Sequence, residues 1–155
     1  MADTRDLPMR LALPLALACV AALPASCVAQ SDCLPQVRDG WVRLSPAGMP
    51  MLAGFGRIDN ACRTPAAIMA ADSPAFGSVE LHESRLVDGV SRMRAVGELR
   101  IAAHGEADME PGGLHLMLMR PAKPLEVGDS VEMAFRLADG RTLRGVFEVR
   151  APDAR

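Results

Sequence analysis

Two Asp-Gly dipeptides, Asp88-Gly89 and Asp139-Gly140, each stand between runs in which apolar and polar residues alternate. Asp-Gly supplies the positive φ that a tight hairpin turn requires, and the alternation sends one side of each run to a core and the other to water. Val79 to Val87 and Val90 to Val96 flank the first dipeptide; Ser130 to Leu137 and Thr142 to Arg150 flank the second, with a slightly longer loop. The punctuation continues along the chain. Gln36 to Leu44 stops at Ser45-Pro46-Ala47-Gly48, Met51 to Ile58 at Asp59-Asn60, and Ala66 to Ala71 at Asp72-Ser73-Pro74. Glu98 to Ala103 is short and runs into a polar stretch, and Leu114 to Met119 follows Pro111-Gly112-Gly113. No segment holds a helical period beyond a turn or two. About eight to nine short strands predict an all-β sandwich or barrel, undivided by repeat or linker.

The first 29 residues read as a secretory signal peptide, leaving residues 30–155 as one domain. Met1 to Arg10 is polar and carries Arg5 and Arg10; Leu11 to Ala25 is apolar; small residues lead to a cleavage point after Ala29. The apolar run is shorter than the roughly 20 residues of a spanning helix, and Pro14 and Pro24 interrupt it. A lipoprotein cut before Cys27 ranks lower, because Pro24-Ala25-Ser26 lacks the Leu expected at the first of those positions. Without a lipid anchor, membrane contact comes only through partners. The net charge of −2, with no basic stripe and few aromatic residues, argues against nucleic acid as a partner. Export leaves Cys33 and Cys62, which most simply form one disulfide; they lack the CxxC spacing of a redox-active pair.

The residues that carry chemistry lie on two runs. A two-residue turn at Asp88-Gly89 pairs Val87 with Val90, so that His82 faces Ala95 and Ser84 faces Met93. His82 and Met93 are then diagonal neighbours on one face. In Leu114-His115-Leu116-Met117-Leu118-Met119, three leucines alternate with an imidazole and two thioethers. The leucines belong in the core, and the face that usually holds Lys, Thr or Glu presents soft donors instead. A single His or Met is more often structural than a ligand, so the weight rests on the four together. Two imidazoles with two thioethers suit Cu(I), whereas zinc favours thiolates, and calcium or magnesium needs clustered carboxylates. Protonation of the imidazoles weakens such a site in acid. Met119 is the reserve ligand; Met51 and Met109 have no support from spacing. His104 reads as a surface residue and Trp41 as core.

The spacing His82-x10-Met93-x21-His115-x-Met117 resembles the signature H(M)x10Mx21HxM of the periplasmic copper chaperone family PCu(A)C. The flanking text is similar as well, in Val79-Glu80-Leu81-His82-Glu83, Gly48-Met49-Pro50, Pro124-Leu125 and Gly128-Asp129, over roughly Val37 to Val149. Glu83 stands where the family's optional methionine would be, and strand parity turns it away from His82. The resemblance implies a cupredoxin-like Greek-key β-barrel in the periplasm. It implies one solvent-accessible Cu(I) held by His82, Met93, His115 and Met117. It also implies delivery to a respiratory oxidase at the CuA centre of cytochrome c oxidase subunit II, alongside Sco-type proteins.

Rival readings are a copper storage or resistance protein with the same site and a metal-free β-sandwich that binds protein. A blue-copper carrier needs a Cys ligand, and both retained cysteines are remote in sequence. The chain is not expected to be an enzyme: GxSxG, HExxH and a phosphate loop are all absent.

Overall fold

The computed structural model describes residues 33–46 and 49–154; the signal-peptide reading of residues 1–29 lies outside them. The described residues form ten β-strands and no helix. These are β1 (Gln36–Arg43), β2 (Met51–Asn60), β3 (Ala66–Asp72), β4 (Phe76–Val87), β5 (Val90–Ala95), β6 (Leu99–Ile101), β7 (Gly105–Met109), β8 (Leu114–Pro121), β9 (Ser130–Leu137) and β10 (Thr142–Arg150). The order β4-β8-β2-β1-β10-β9-β3 closes on itself through a β3–β4 pairing, which makes a seven-stranded barrel. The closing seam is narrow, a single pair of Ala71 with Val79. β5 continues the sheet beyond β4, and β6 continues it beyond β3. All pairings are antiparallel except β1 with β10.

Strand alternation fills the barrel. Val42, Ile58, Leu116, Leu118, Met133, Phe135, Phe147 and Val149 point inward and are essentially inaccessible. Each buried side chain of that size stabilises by about 1.5–3 kcal/mol relative to exposure. Where β1 bulges between Arg38 and Trp41, Asp39 takes a positive φ of 50° and Gly40 comes against the ring of Phe147. Gly56, at φ 144°, lies opposite; a Cβ there would come within 2.9 Å of the Gly40 Cα. Two glycines are therefore what lets these backbones approach.

One expectation is corrected. The polar stretch after Ala103 contains a strand, β7, which runs beside the second half of β2. Its Glu106 and Asp108 face solvent while Met109 is buried, so a true alternation was masked by charge. Arg57 accompanies it, its guanidinium held above the usual arginine range by Asp59 first and Glu106 second. Trp41 is buried, as its core reading expects; it packs on the outer face of the barrel with its ring tilted against Phe55, 4.6 Å between centroids, and both stand apart from the inner cluster.

Cys33 and Cys62 form the expected disulfide. It ties the segment before β1 to the end of β2, and Arg141 Nη1 donates to the Cys33 carbonyl at 2.9 Å. A crosslink spanning 29 residues removes loop-closure entropy worth about 3–4 kcal/mol from the unfolded chain. The double variant Cys33→Ala/Cys62→Ala is expected to lose that amount in urea unfolding while keeping the far-UV spectrum of a folded β-protein.

Candidate metal centre

The Asp88-Gly89 turn has the expected length. Both residues have positive φ, 52° and 76°, and Val87 pairs with Val90. His82 consequently faces Ala95, and Ser84 faces Met93. On the other side of β4, the register with β8 sets His82 directly opposite His115 and Glu80 opposite Met117. The imidazole centroids are 6.2 Å apart. β2 extends this outer face with Ala53, paired with Met117, and Met51, paired with Met119. Outward imidazoles and thioethers thus occupy three adjacent strands whose inward residues, among them Leu52, Leu116 and Leu118, are core.

His115 owes its position to the loop between β7 and β8. These strands run along the same edge of β2, interrupted by Glu110 to Gly113. Glu110 donates to the Leu114 carbonyl and Gly113 to the Glu110 carbonyl, and Ser84 of β4 donates to the Gly113 carbonyl. That same carbonyl lies 2.9 Å from His115 Nδ1. A carbonyl can only accept, so Nδ1 carries the proton and Nε2 keeps its lone pair. The residue is 8 % exposed and packs against Phe55, over whose ring the Arg43 guanidinium lies at 5.0 Å.

His82 is held differently. Its Nε2 lies 2.9 Å from Glu80 Oε2, while its Nδ1 is buried without a hydrogen-bond partner. Each imidazole therefore has one engaged nitrogen and one open for another bond. Beside them a cavity of about 480 Å³ is lined by Met49, Met51, Met93, Met117, His115 and Phe55. Three of the four sequence-derived residues reach this cavity; His82 stands next to it, in contact through the ring of His115. Met119 shares the outer face but does not line the cavity, and Met109 is locked in the core. His104 is an exposed turn residue at φ 55°.

Among the described residues no three His, Cys, Asp or Glu side chains converge on a point that could hold a metal. An ion at this face would need the thioethers as well as the imidazoles, a donor set for a soft cation. Sequence reasoning missed Glu80, Phe55 and Arg43. The alternation of Glu80 with His82 was the available signal for the first; the other two depend on strand pairing distant in sequence.

Met93 is the most exposed of the four residues, at 52 %, and sits on β5, an edge strand exposed along its whole length. The opposite face of that hairpin places Arg85 directly against Arg92, a like-charge pair. Glu83 relieves it by accepting from Arg85 at 2.8 Å and from Arg94, its cross-strand neighbour, at 2.6 Å. The Arg85 hydrogen bond first, and then Arg94, hold the Glu83 carboxyl below its usual range. A depressed carboxylate stabilises the folded hairpin above the ordinary carboxylate range, and this is lost as pH falls through the lowered value. Amide hydrogen exchange should show β5 losing protection in acid earlier than β8 does, and Glu83→Gln should remove that difference.

Comparison with known proteins adds the following. A family profile described as LpqE-like lipoproteins matches residues 35–149. The lipoprotein Lxx21020 of Leifsonia xyli subsp. xyli is 37 % identical over 128 residues, covering 80 % of this chain and 75 % of that one. Among solved structures, Cu(I)-bound DR1885 from Deinococcus radiodurans is 29 % identical with a TM-score of 0.61, covering 82 % of this chain and 86 % of that one. Its apo form is 27 % identical with a TM-score of 0.60, covering 92 % and 97 %. The apo PCuAC domain of PmoF2, 22 % identical with a TM-score of 0.62, covers 76 % and 90 % and shows the shared cupredoxin-like fold.

Proposed function

Because this chain belongs to the LpqE-like family, the PCu(A)C family its spacing resembles, we propose that it is an exported copper chaperone. It holds one Cu(I) through His82, Met93, His115 and Met117. The observation that carries this reading is the direct pairing of His82 with His115 beside a thioether-lined cavity, each imidazole with one nitrogen lacking a hydrogen-bond partner. A buried nitrogen without a partner costs about 1–3 kcal/mol, and a bound metal offsets that cost. The Cu(I)-bound structure of a relative supports the choice of ion.

The protein acts as a carrier and not as a catalyst. All four ligands are neutral when they bind, so a partner's thiolates can replace them one at a time with no change of oxidation state. Met93, on an exposed edge strand, leaves first; His115, nearly buried and anchored to the Gly113 carbonyl, leaves late. Barrel strands keep the remaining donors in place during the exchange. The receiver is a thiolate copper site such as CuA of cytochrome c oxidase subunit II or a Sco-type protein, as the resemblance implies.

Cu(I) titration against a chromogenic competitor tests the site. One equivalent is expected to bind, His115→Ala/Met117→Ala is expected to abolish binding, and Met93→Leu is expected to weaken it by about tenfold or more, ~1.4 kcal/mol per decade. A parent protein that binds no Cu(I) overturns the reading.

The lipoprotein names of the family and of the Leifsonia relative support export. They also favour acylation at Cys27 over a free form cut after Ala29, despite the missing Leu before it. Metabolic labelling with palmitate is expected to mark the chain and to fail in Cys27→Ser.

A further inference from the structure

We propose that Glu80 is a positioning residue for the metal, one that selects which nitrogen of His82 binds copper. The inference rests on the copper-carrier reading and concerns a side chain outside its ligand set.

Glu80 and His82 are alternate residues of β4 and therefore share the outer face, with Glu80 across from Met117 and His82 across from His115. Glu80 Oε2 lies 2.9 Å from His82 Nε2. The carboxylate oxygen is the acceptor of this contact, so Nε2 is the donor. This contact selects the tautomer with the proton on Nε2 and the lone pair on Nδ1. That Nδ1 is the atom left buried and unpartnered. His115 is set the opposite way, because the Gly113 carbonyl accepts from Nδ1–H and leaves the lone pair on Nε2. The two imidazoles of the site are thus not equivalent: His82 binds through Nδ1 and His115 through Nε2.

Glu80 does not ligate. Among the described residues it forms no convergent trio with the two histidines, and its near oxygen is already engaged with Nε2. Its effect passes through the ring. A carboxylate behind a ligating imidazole fixes its orientation and raises its basicity, and losing such a partner typically weakens metal binding by about 10–100-fold. The carboxylate also adds a negative charge beside a cationic cargo, which no member of the donor set provides.

The test combines imidazole NMR with affinity. Long-range ¹⁵N–¹H spectra of the apo protein, recorded where both rings are neutral, are expected to show His82 protonated on Nε2 and His115 on Nδ1. Adding Cu(I) is expected to move the His82 Nδ1 and His115 Nε2 resonances. Glu80→Ala is expected to mix the His82 tautomers and to lower Cu(I) affinity by about 10–100-fold. Glu80→Gln, whose amide oxygen still accepts from Nε2, should recover the tautomer and part of the affinity. Glu80 is half exposed, so both variants should fold, which the apo spectra verify directly. An apo His82 protonated on Nδ1, a copper-induced shift on His82 Nε2, or unchanged affinity in Glu80→Ala overturns this inference alone. A parent that takes up no Cu(I) overturns the carrier reading with it.

Discussion

Strand β8 lies between β4 and β2 and does two things at once. Its leucines enter the barrel core, where Leu116 and Leu118 are fully buried, and its His115, Met117 and Met119 stand on the outer face. The residues are interleaved with period two, so the core packing that fixes the register of β8 also fixes the imidazole opposite His82. A slip of one residue would put the histidine in the core and a leucine on the surface, at a cost of several buried side chains. The site is therefore held in place by the same apolar burial that closes the barrel, with no separate scaffold.

That coupling explains what was legible beforehand. The Asp88-Gly89 hairpin and the Leu/His/Met alternation of β8 are local signals, so the diagonal placement of His82 and Met93 could be read before any long-range pairing was known. What was not legible is non-local. Closure through Ala71 and Val79, the parallel pairing of β1 with β10, and the outer stacking of Trp41 on Phe55 join segments with no shared pattern. β7 was missed because Glu106 and Asp108 made a half-exposed strand look like a loop. Glu80 was missed because a carboxylate beside a histidine has many uses, and only the 2.9 Å contact with an otherwise open ring selects one.

The proposed donors are unequally tethered. Met117 and both histidines belong to barrel strands paired on two sides, whereas Met93 belongs to an edge strand paired on one. The disulfide stands at the far end of β2; from Ala53 to Asn60 that strand spans roughly 23 Å at about 3.3 Å per residue. Stabilisation by the crosslink and exposure at the hairpin are thus separated along one strand. The barrel can be firm at one end while the edge hairpin at the other remains open to a partner.

The chain contains one tryptophan and no tyrosine, so its near-ultraviolet emission comes from Trp41. That indole is held on the outer face, its ring 4.6 Å from Phe55, and Phe55 is in turn 6.4 Å from His115. The two contacts make a short aromatic relay from the single tryptophan to an imidazole of the candidate site. Occupancy there would be legible as a change in native fluorescence, which gives the molecule an optical gauge of its own loading without a dye or a label.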